Sequence, residues 1–207
     1  MTPIIYLHGF ASGPGSIKAT YFRRYLEAAG ATVEIPDLAA GDFEHLTLSG
    51  QLAVIEQSTA RRTVSLIGSS MGGYLAALYA ARHPEVDRVV LLAPAFGFAR
   101  RWRERLGENA VVRWRATGRI EVFHYGLKQP AWVAYRLLED AEQYEDYPDL
   151  RQPCLIFHGA QDDVVPARYS QEFAELHSNA RLEILNSGHE LTDRLDYMAP
   201  ALLEFLR

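Results

Sequence analysis

The chain has a single cysteine, Cys154, among its 207 residues. One thiol closes no internal disulfide, so the fold rests on its core, which agrees with a reducing compartment without requiring one. No apolar run approaches the ~20 residues of a membrane span. Basic residues are in the minority, 21 Lys and Arg against 26 Asp and Glu for a net charge of −5, so no basic field argues for nucleic acid. There is no His-Glu-x-x-His run and no cysteine pair, and His45, His83, His124 and His177 show no ligand spacing, so neither a metal nor another cofactor is expected. Met1 to Leu7 has no basic stretch ahead of its apolar residues. It reads as a working strand and not as a signal peptide, and a cytoplasmic protein is expected.

What the chain does have is apolar content, 48% of its residues, enough for one substantial core and short for two. A single domain over residues 1–207 is expected. Strand-like runs near residues 3–7, 32–36, 63–67, 88–92, 154–158 and 181–185 alternate with helical patterns, the order of an α/β fold with a mostly parallel sheet and helices on both faces. The first helix is the best marked: Ser16 suits its N-cap, Ile17, Phe22, Leu26 and Ala29 suit one apolar face, and Gly30 suits its stop. Further helices are expected over 46–59, 71–82, 167–177 and 199–206.

The most informative stretch is Gly68-Ser69-Ser70-Met71-Gly72, between the apolar run Thr63–Ile67 and the helical segment Met71–Arg82. In that setting it reads as a nucleophile elbow, a turn so sharp that the central serine is held in a strained conformation with its hydroxyl projecting from the sheet edge. Gly68 and Gly72 fit because a side chain two residues either side of Ser70 would strike the neighbouring strand or helix turn. Ser69 lacks that flanking. The competing reading is a tightly packed or phosphate-binding glycine loop, which the pentapeptide alone does not exclude.

An acid and a base follow in suitable places. Cys154–Phe157 reads as a buried strand leading into His158-Gly159-Ala160-Gln161-Asp162-Asp163, and the run Arg181–Leu185 leads into Asn186-Ser187-Gly188-His189. The order Ser, Asp, His is that of α/β-hydrolases and differs from the chymotrypsin and subtilisin orders. A serine hydroxyl needs a base within reach to take its proton, and an imidazole titrating near pH ~6.5 both accepts and returns one.

Tyr6-Leu7-His8-Gly9-Phe10, with Ser12, Pro14, Ser16, Lys18 and Ala19 beyond it, the elbow Gly68–Gly73 and the ending His189-Glu190-Leu191 together resemble the small bacterial YqiA-like esterases of the α/β-hydrolase superfamily. The superfamily resemblance spans nearly the whole chain; the narrower one weakens from about Phe96 to Leu150. It implies a triad of Ser70, Asp162 and His189, the acid being the residue three beyond the glycine of His158-Gly159, with Asp163 as its rival. It also implies an oxyanion hole from the backbone N–H groups of Phe10, after Gly9, and Met71. The run is His-Gly-Phe and not His-Gly-Gly-Gly, so the resemblance is to hydrolases with one bulky oxyanion residue. His8 and His158 read as ties between loop backbones.

Residues 96–150 break the alternation where this fold usually inserts a cap or lid. Phe96, Phe98, Trp102, Trp114, Phe123, Tyr125, Trp132 and Tyr135 would either line an acyl pocket or seal the insert onto the sheet. Seven arginines between Phe96 and Arg119 are followed by six acids between Glu139 and Asp149, which favours a solvated, partly neutralised surface over a site for acyl-coenzyme A. The expected function is hydrolysis of a small-molecule carboxylic ester through an acyl-enzyme. A thioester would use the same residues, and a binding protein that keeps the fold without turnover is the alternative of another class. Acyl and alcohol specificity and oligomeric state are left open.

Overall fold

The structure, a computed structural model, describes all residues 1–207. Strand β1 (Ile4–Leu7) leads through a loop to α1 (Ile17–Ala28), then β2 (Val33–Glu34), α2 (Leu48–Thr59), β3 (Val64–Ser69), α3 (Met71–Arg82) and β4 (Val86–Leu92). An insert follows: α4 (Phe98–Leu106), α5 (Glu108–Thr117), the hairpin β5 (Arg119–His124) and β6 (Gln129–Ala134), and α6 (Arg136–Ala141). The chain then returns through β7 (Cys154–Gly159), α7 (Arg168–Leu176), β8 (Ala180–Leu185) and α8 (Leu195–Phe205).

Six strands form one parallel sheet in the order β2-β1-β3-β4-β7-β8, while β5 and β6 pair antiparallel with each other. Both faces of the sheet are covered, so its central strands bury apolar residues on both sides. Ile4, Tyr6, Ile67, Val90, Leu92, Leu155 and Phe157 pack on one side with Phe22 of α1 and Met198 and Leu202 of α8. Ile5, Leu7, Leu66, Val89, Leu91 and Ile156 face the other way, onto Leu75 and Leu78 of α3 and the insert. Full burial of side chains such as Phe22 and Leu26 contributes about 1.5–3 kcal/mol each.

All six sheet strands lie within two residues of their expected positions. The first helix differs in its face: Ile17 is 67% exposed, and Lys18, Ala19, Phe22 and Leu26 are the buried set. Ser16 stands at the N-cap position without a side-chain cap bond, whereas Thr47 caps α2 by accepting from the Gly50 N–H at 2.9 Å. Helix α8 starts four residues earlier than expected and runs through Pro200. A proline inside a helix costs about 3 kcal/mol, but Leu195, Met198 and Ala199 all bury apolar surface against the sheet, and that packing carries the helix across it. No helix is long and apolar enough to cross a membrane.

Candidate active site

Four strand ends on the carboxyl edge of the sheet supply the site. Ser70 follows β3, Gly9 and Phe10 follow β1, Asp162 follows β7 and His189 follows β8. At the elbow Ser70 has φ 54° and ψ −117°, a conformation non-glycine residues rarely adopt. It is held there by three backbone hydrogen bonds: Ser70 N–H to Leu92 O at 2.9 Å, and its own carbonyl accepting from Ala95 at 2.9 Å and Tyr74 at 3.1 Å. A Cβ on Gly68 would fall 2.2 Å from Gly72 O, and one on Gly72 would fall 2.2 Å from Leu7 O. Only glycine fits at either position. Gly9 lies against the serine as well, since a Cβ there would sit 3.4 Å from Ser70 Cβ.

His189 Nε2 lies 3.0 Å from Ser70 Oγ, and His189 Nδ1 lies 2.7 Å from Asp162 Oδ2. A carboxylate oxygen only accepts, so Nδ1 carries the proton and Nε2 is left as the acceptor facing the hydroxyl. Asp163, the rival acid, is exposed, while Asp162 is 8% exposed. Asp162 Oδ1 accepts from the N–H groups of Val164 at 2.9 Å and Val165 at 2.7 Å. Burial alone would raise the Asp162 carboxyl, but hydrogen bonds from His158 and His189, then the His189 charge and the Val165 N–H, outweigh it and hold the group well below the usual carboxylate range.

The Phe10 N–H, outside every helix and strand, donates to no acceptor in the chain, and the Met71 N–H opens α3, where no preceding turn can receive it. The Phe10 ring is wedged against Phe43 at 5.4 Å and edge-on to Trp102 at 5.2 Å, which fixes the loop that carries its N–H. His8 ties that loop down by donating from Nδ1 to Gly9 O at 3.0 Å and accepting the Leu38 N–H on Nε2 at 3.2 Å.

A cavity of about 1720 Å³ opens above Ser70 between the sheet edge and the insert. The insert's aromatics divide: Phe98, Trp102, Phe123 and Tyr125 line it, whereas Phe96 and Trp114 are fully buried in packing and Trp132 and Tyr135 lie away from it. Its arginines divide too. Arg100 pairs with Asp146 at 2.9 Å and Arg103 with Glu142, but Arg101 and Arg105 line the cavity with no carboxylate partner, Arg105 exposed and Arg101 half-buried. Nowhere do three His, Cys, Asp or Glu side chains converge as metal ligands would.

Three residues near the triad do more than the sequence indicated. His158, fully buried, bonds Asp162 itself as well as loop backbone, with Nε2 2.7 Å from Val165 O and 3.1 Å from Asp162 Oδ2, and Nδ1 accepting from Ser170 Oγ at 2.7 Å. Lys18 and Arg101 reach the two triad loops. Lys18 had two signals, its place among the residues that carry the family resemblance and a lysine inside an otherwise apolar helix face; Arg101 is indistinguishable in sequence from its paired neighbours.

The family described as Uncharacterised protein family (UPF0227) matches residues 3–207. No curated protein matches the sequence. Among solved structures, a protein of Agrobacterium vitis S4 named provisionally as a hydrolase superposes with a TM-score of 0.86 at 23% identity, over 100% of this chain and 88% of that one. Est1E from Butyrivibrio proteoclasticus, with ferulic acid bound, gives 0.81 at 19% identity over 99% and 88%, and the monoacylglycerol lipase of Paleococcus ferrophilus gives 0.76 at 18% over 99% and 95%. The fold is that of the α/β-hydrolases, as the sequence resemblance implied.

Proposed function

The chain belongs to the Uncharacterised protein family (UPF0227), and we propose that it is a serine hydrolase of carboxylic esters. The observation that carries this reading is the continuous chain from Ser70 Oγ through His189 to Asp162, at 3.0 and 2.7 Å. As Ser70 Oγ attacks the carbonyl carbon, its proton passes to His189 Nε2 and the Asp162 carboxylate stabilises the imidazolium. The carbonyl oxygen, now an anion, is met by the Phe10 N–H on the loop after β1 and by the Met71 N–H at the start of α3, donors whose loss typically costs ~10²–10³ in turnover. The carbon–oxygen bond to the alcohol breaks and His189 hands its proton to the departing oxygen. Water then gives a proton to His189 while its oxygen attacks the acyl-enzyme, releasing the acid and restoring Ser70.

Residues 96–150 act in this reading as a cap over the serine, with Phe98, Trp102 and Phe123 supplying apolar lining to the cavity. Structural similarity to an esterase and a lipase supports the ester class. Acidic and basic side chains line the cavity in equal number, five of each, so it offers no net positive field to a polyanionic coenzyme A thioester. A panel of p-nitrophenyl esters and acyl-coenzyme A thioesters of graded acyl length tests the assignment. The expected result is Ser70-dependent turnover of the esters with higher kcat/KM than the thioesters of equal chain length; thioester preference at every length would reverse it.

A further inference from the structure

Lys18 is 9% exposed, yet no carboxylate lies within ion-pairing distance of its ammonium. Its one hydrogen bond runs to the backbone carbonyl of Glu190 at 2.8 Å, directly beside His189. An ammonium has three N–H donors, so two are unspent, and the side chain belongs to the cavity wall. Arg101 repeats the arrangement on the other triad loop. Its Nε donates to Phe96 O at 2.8 Å and its Nη1 to Val164 O at 3.0 Å, its guanidinium lies over the Tyr169 ring, and it too lines the cavity with no acid paired to it.

Taking a cation out of water is costly unless an opposite charge and hydrogen bonds replace the water. Burial is the largest influence on both groups and disfavours their charged forms, and the Asp162 carboxylate is an opposing influence common to both. That carboxylate is already committed to His189, His158 and two backbone N–H groups. Ten charged side chains line the cavity, five of each sign, but eight of them are exposed and screened by solvent. Lys18 and Arg101 are the two set into the wall, and with the buried Asp162 carboxylate behind them they leave one positive charge in excess. Glu190, the other acid near Lys18, is exposed and screened by solvent. On the same helix Arg100 and Arg103 are paired with Asp146 and Glu142, and Arg105, which has no acid partner, is exposed to solvent; Arg101 has neither compensation.

We infer that the cavity takes an ester bearing a second, ionised carboxylate, and that Lys18 and Arg101 are the specificity-determining residues that bind it. This rests on the ester-hydrolase reading and names its substrate class. A monoanion fits the single excess charge. A phosphate monoester, carrying about −1.5 to −2, would overshoot it. The planar guanidinium keeps Nη2 free for a carboxylate oxygen, and the ammonium adds a point charge.

The test uses the full chain with matched pairs: p-nitrophenyl monoesters of dicarboxylic acids of five to eight carbons against the corresponding neutral acyl esters, and esters of hydroxycarboxylic acids against those of plain alcohols. The expected result is that at least one carboxylate-bearing member exceeds its neutral counterpart in kcat/KM about tenfold or more, and that Lys18→Met and Arg101→Gln each lower that ratio by about tenfold, chiefly through KM. Two variants are used because Lys18→Met also removes the bond to the histidine loop. Preference for the neutral member in every pair, or a ratio unmoved by both variants, would overturn carboxylate recognition while leaving ester hydrolysis in place. Absence of Ser70-dependent turnover of any ester would overturn the hydrolase reading and this inference with it.

Discussion

His158 Nε2 lies 3.1 Å from the same Asp162 oxygen, Oδ2, that receives the His189 Nδ1–H at 2.7 Å. Asp162 is thus fastened from the strand that precedes it as well as from the loop it orients. Because Nε2 faces only acceptors, it must carry the proton, and Nδ1 accepts from Ser170. His158 is a positioning residue: it acts on the serine only through Asp162 and His189.

Removing that donor tests the role. A hydrogen bond to a charged group contributes about 1.5–3 kcal/mol, so His158→Phe should lower kcat roughly 10- to 100-fold. His158→Gln, which keeps an N–H donor, should recover part of it with KM unchanged. Equal kcat in the two variants would assign His158 to packing alone.

The two adjacent acids should separate cleanly. Asp162→Asn imposes the wrong tautomer on His189 and should lower kcat by about 10⁴. Asp163→Asn, at an exposed position, should change kcat less than about threefold. Measured kcat for the two purified variants decides between them.

The elbow predicts a steric result. In Gly68→Ala and Gly72→Ala the new methyl meets a backbone carbonyl at 2.2 Å, which only movement of the main chain can relieve. Overpacking of this kind costs about 3 kcal/mol or more, a fall in Tm of roughly 6–12 °C for a domain of this size. Gly13→Ala, with nothing within 4 Å of its Cβ, should melt with the wild type.

Much of this architecture was legible because the signals were local. The sheet strands are apolar runs bounded by turn residues, and the elbow's glycines flank Ser70 for a reason the backbone enforces. The insert was opaque by comparison. Strand β5 alternates, with Ile120 and Val122 turned inward and Glu121 and Phe123 outward, but it is short and its hairpin partner carries Pro130 and the exposed Trp132. No window of sequence shows that Gly126, at the hairpin turn, hydrogen-bonds Ala11 on the oxyanion loop at 3.2 Å. Lys18 was obscured by its charge: the i, i+4, i+8 spacing of Lys18, Phe22 and Leu26 places it on the buried face, but an apolar Ile17 beside it is the residue that hydrophobicity alone selects.

Acid stability should report on Asp162. Its carboxyl is held low in the folded state, so the stability it confers is complete above the unfolded value of about 3.9 and is lost as pH falls through the lower folded value. In denaturant melts the difference between wild type and Asp162→Asn should stay level from pH 7 to about 5 and shrink between about pH 4 and 2. A difference independent of pH over that range would mean that the folded carboxyl is not held low.

The central claim is that Ser70 is the nucleophile, and covalent labelling by a fluorophosphonate tests it most directly. Peptide mass spectrometry should place one adduct on Ser70, blocked when the imidazole is removed in His189→Ala, and folded Ser70→Ala should show neither adduct nor ester turnover. An adduct on another residue, or ester turnover undiminished in folded Ser70→Ala, would contradict the account.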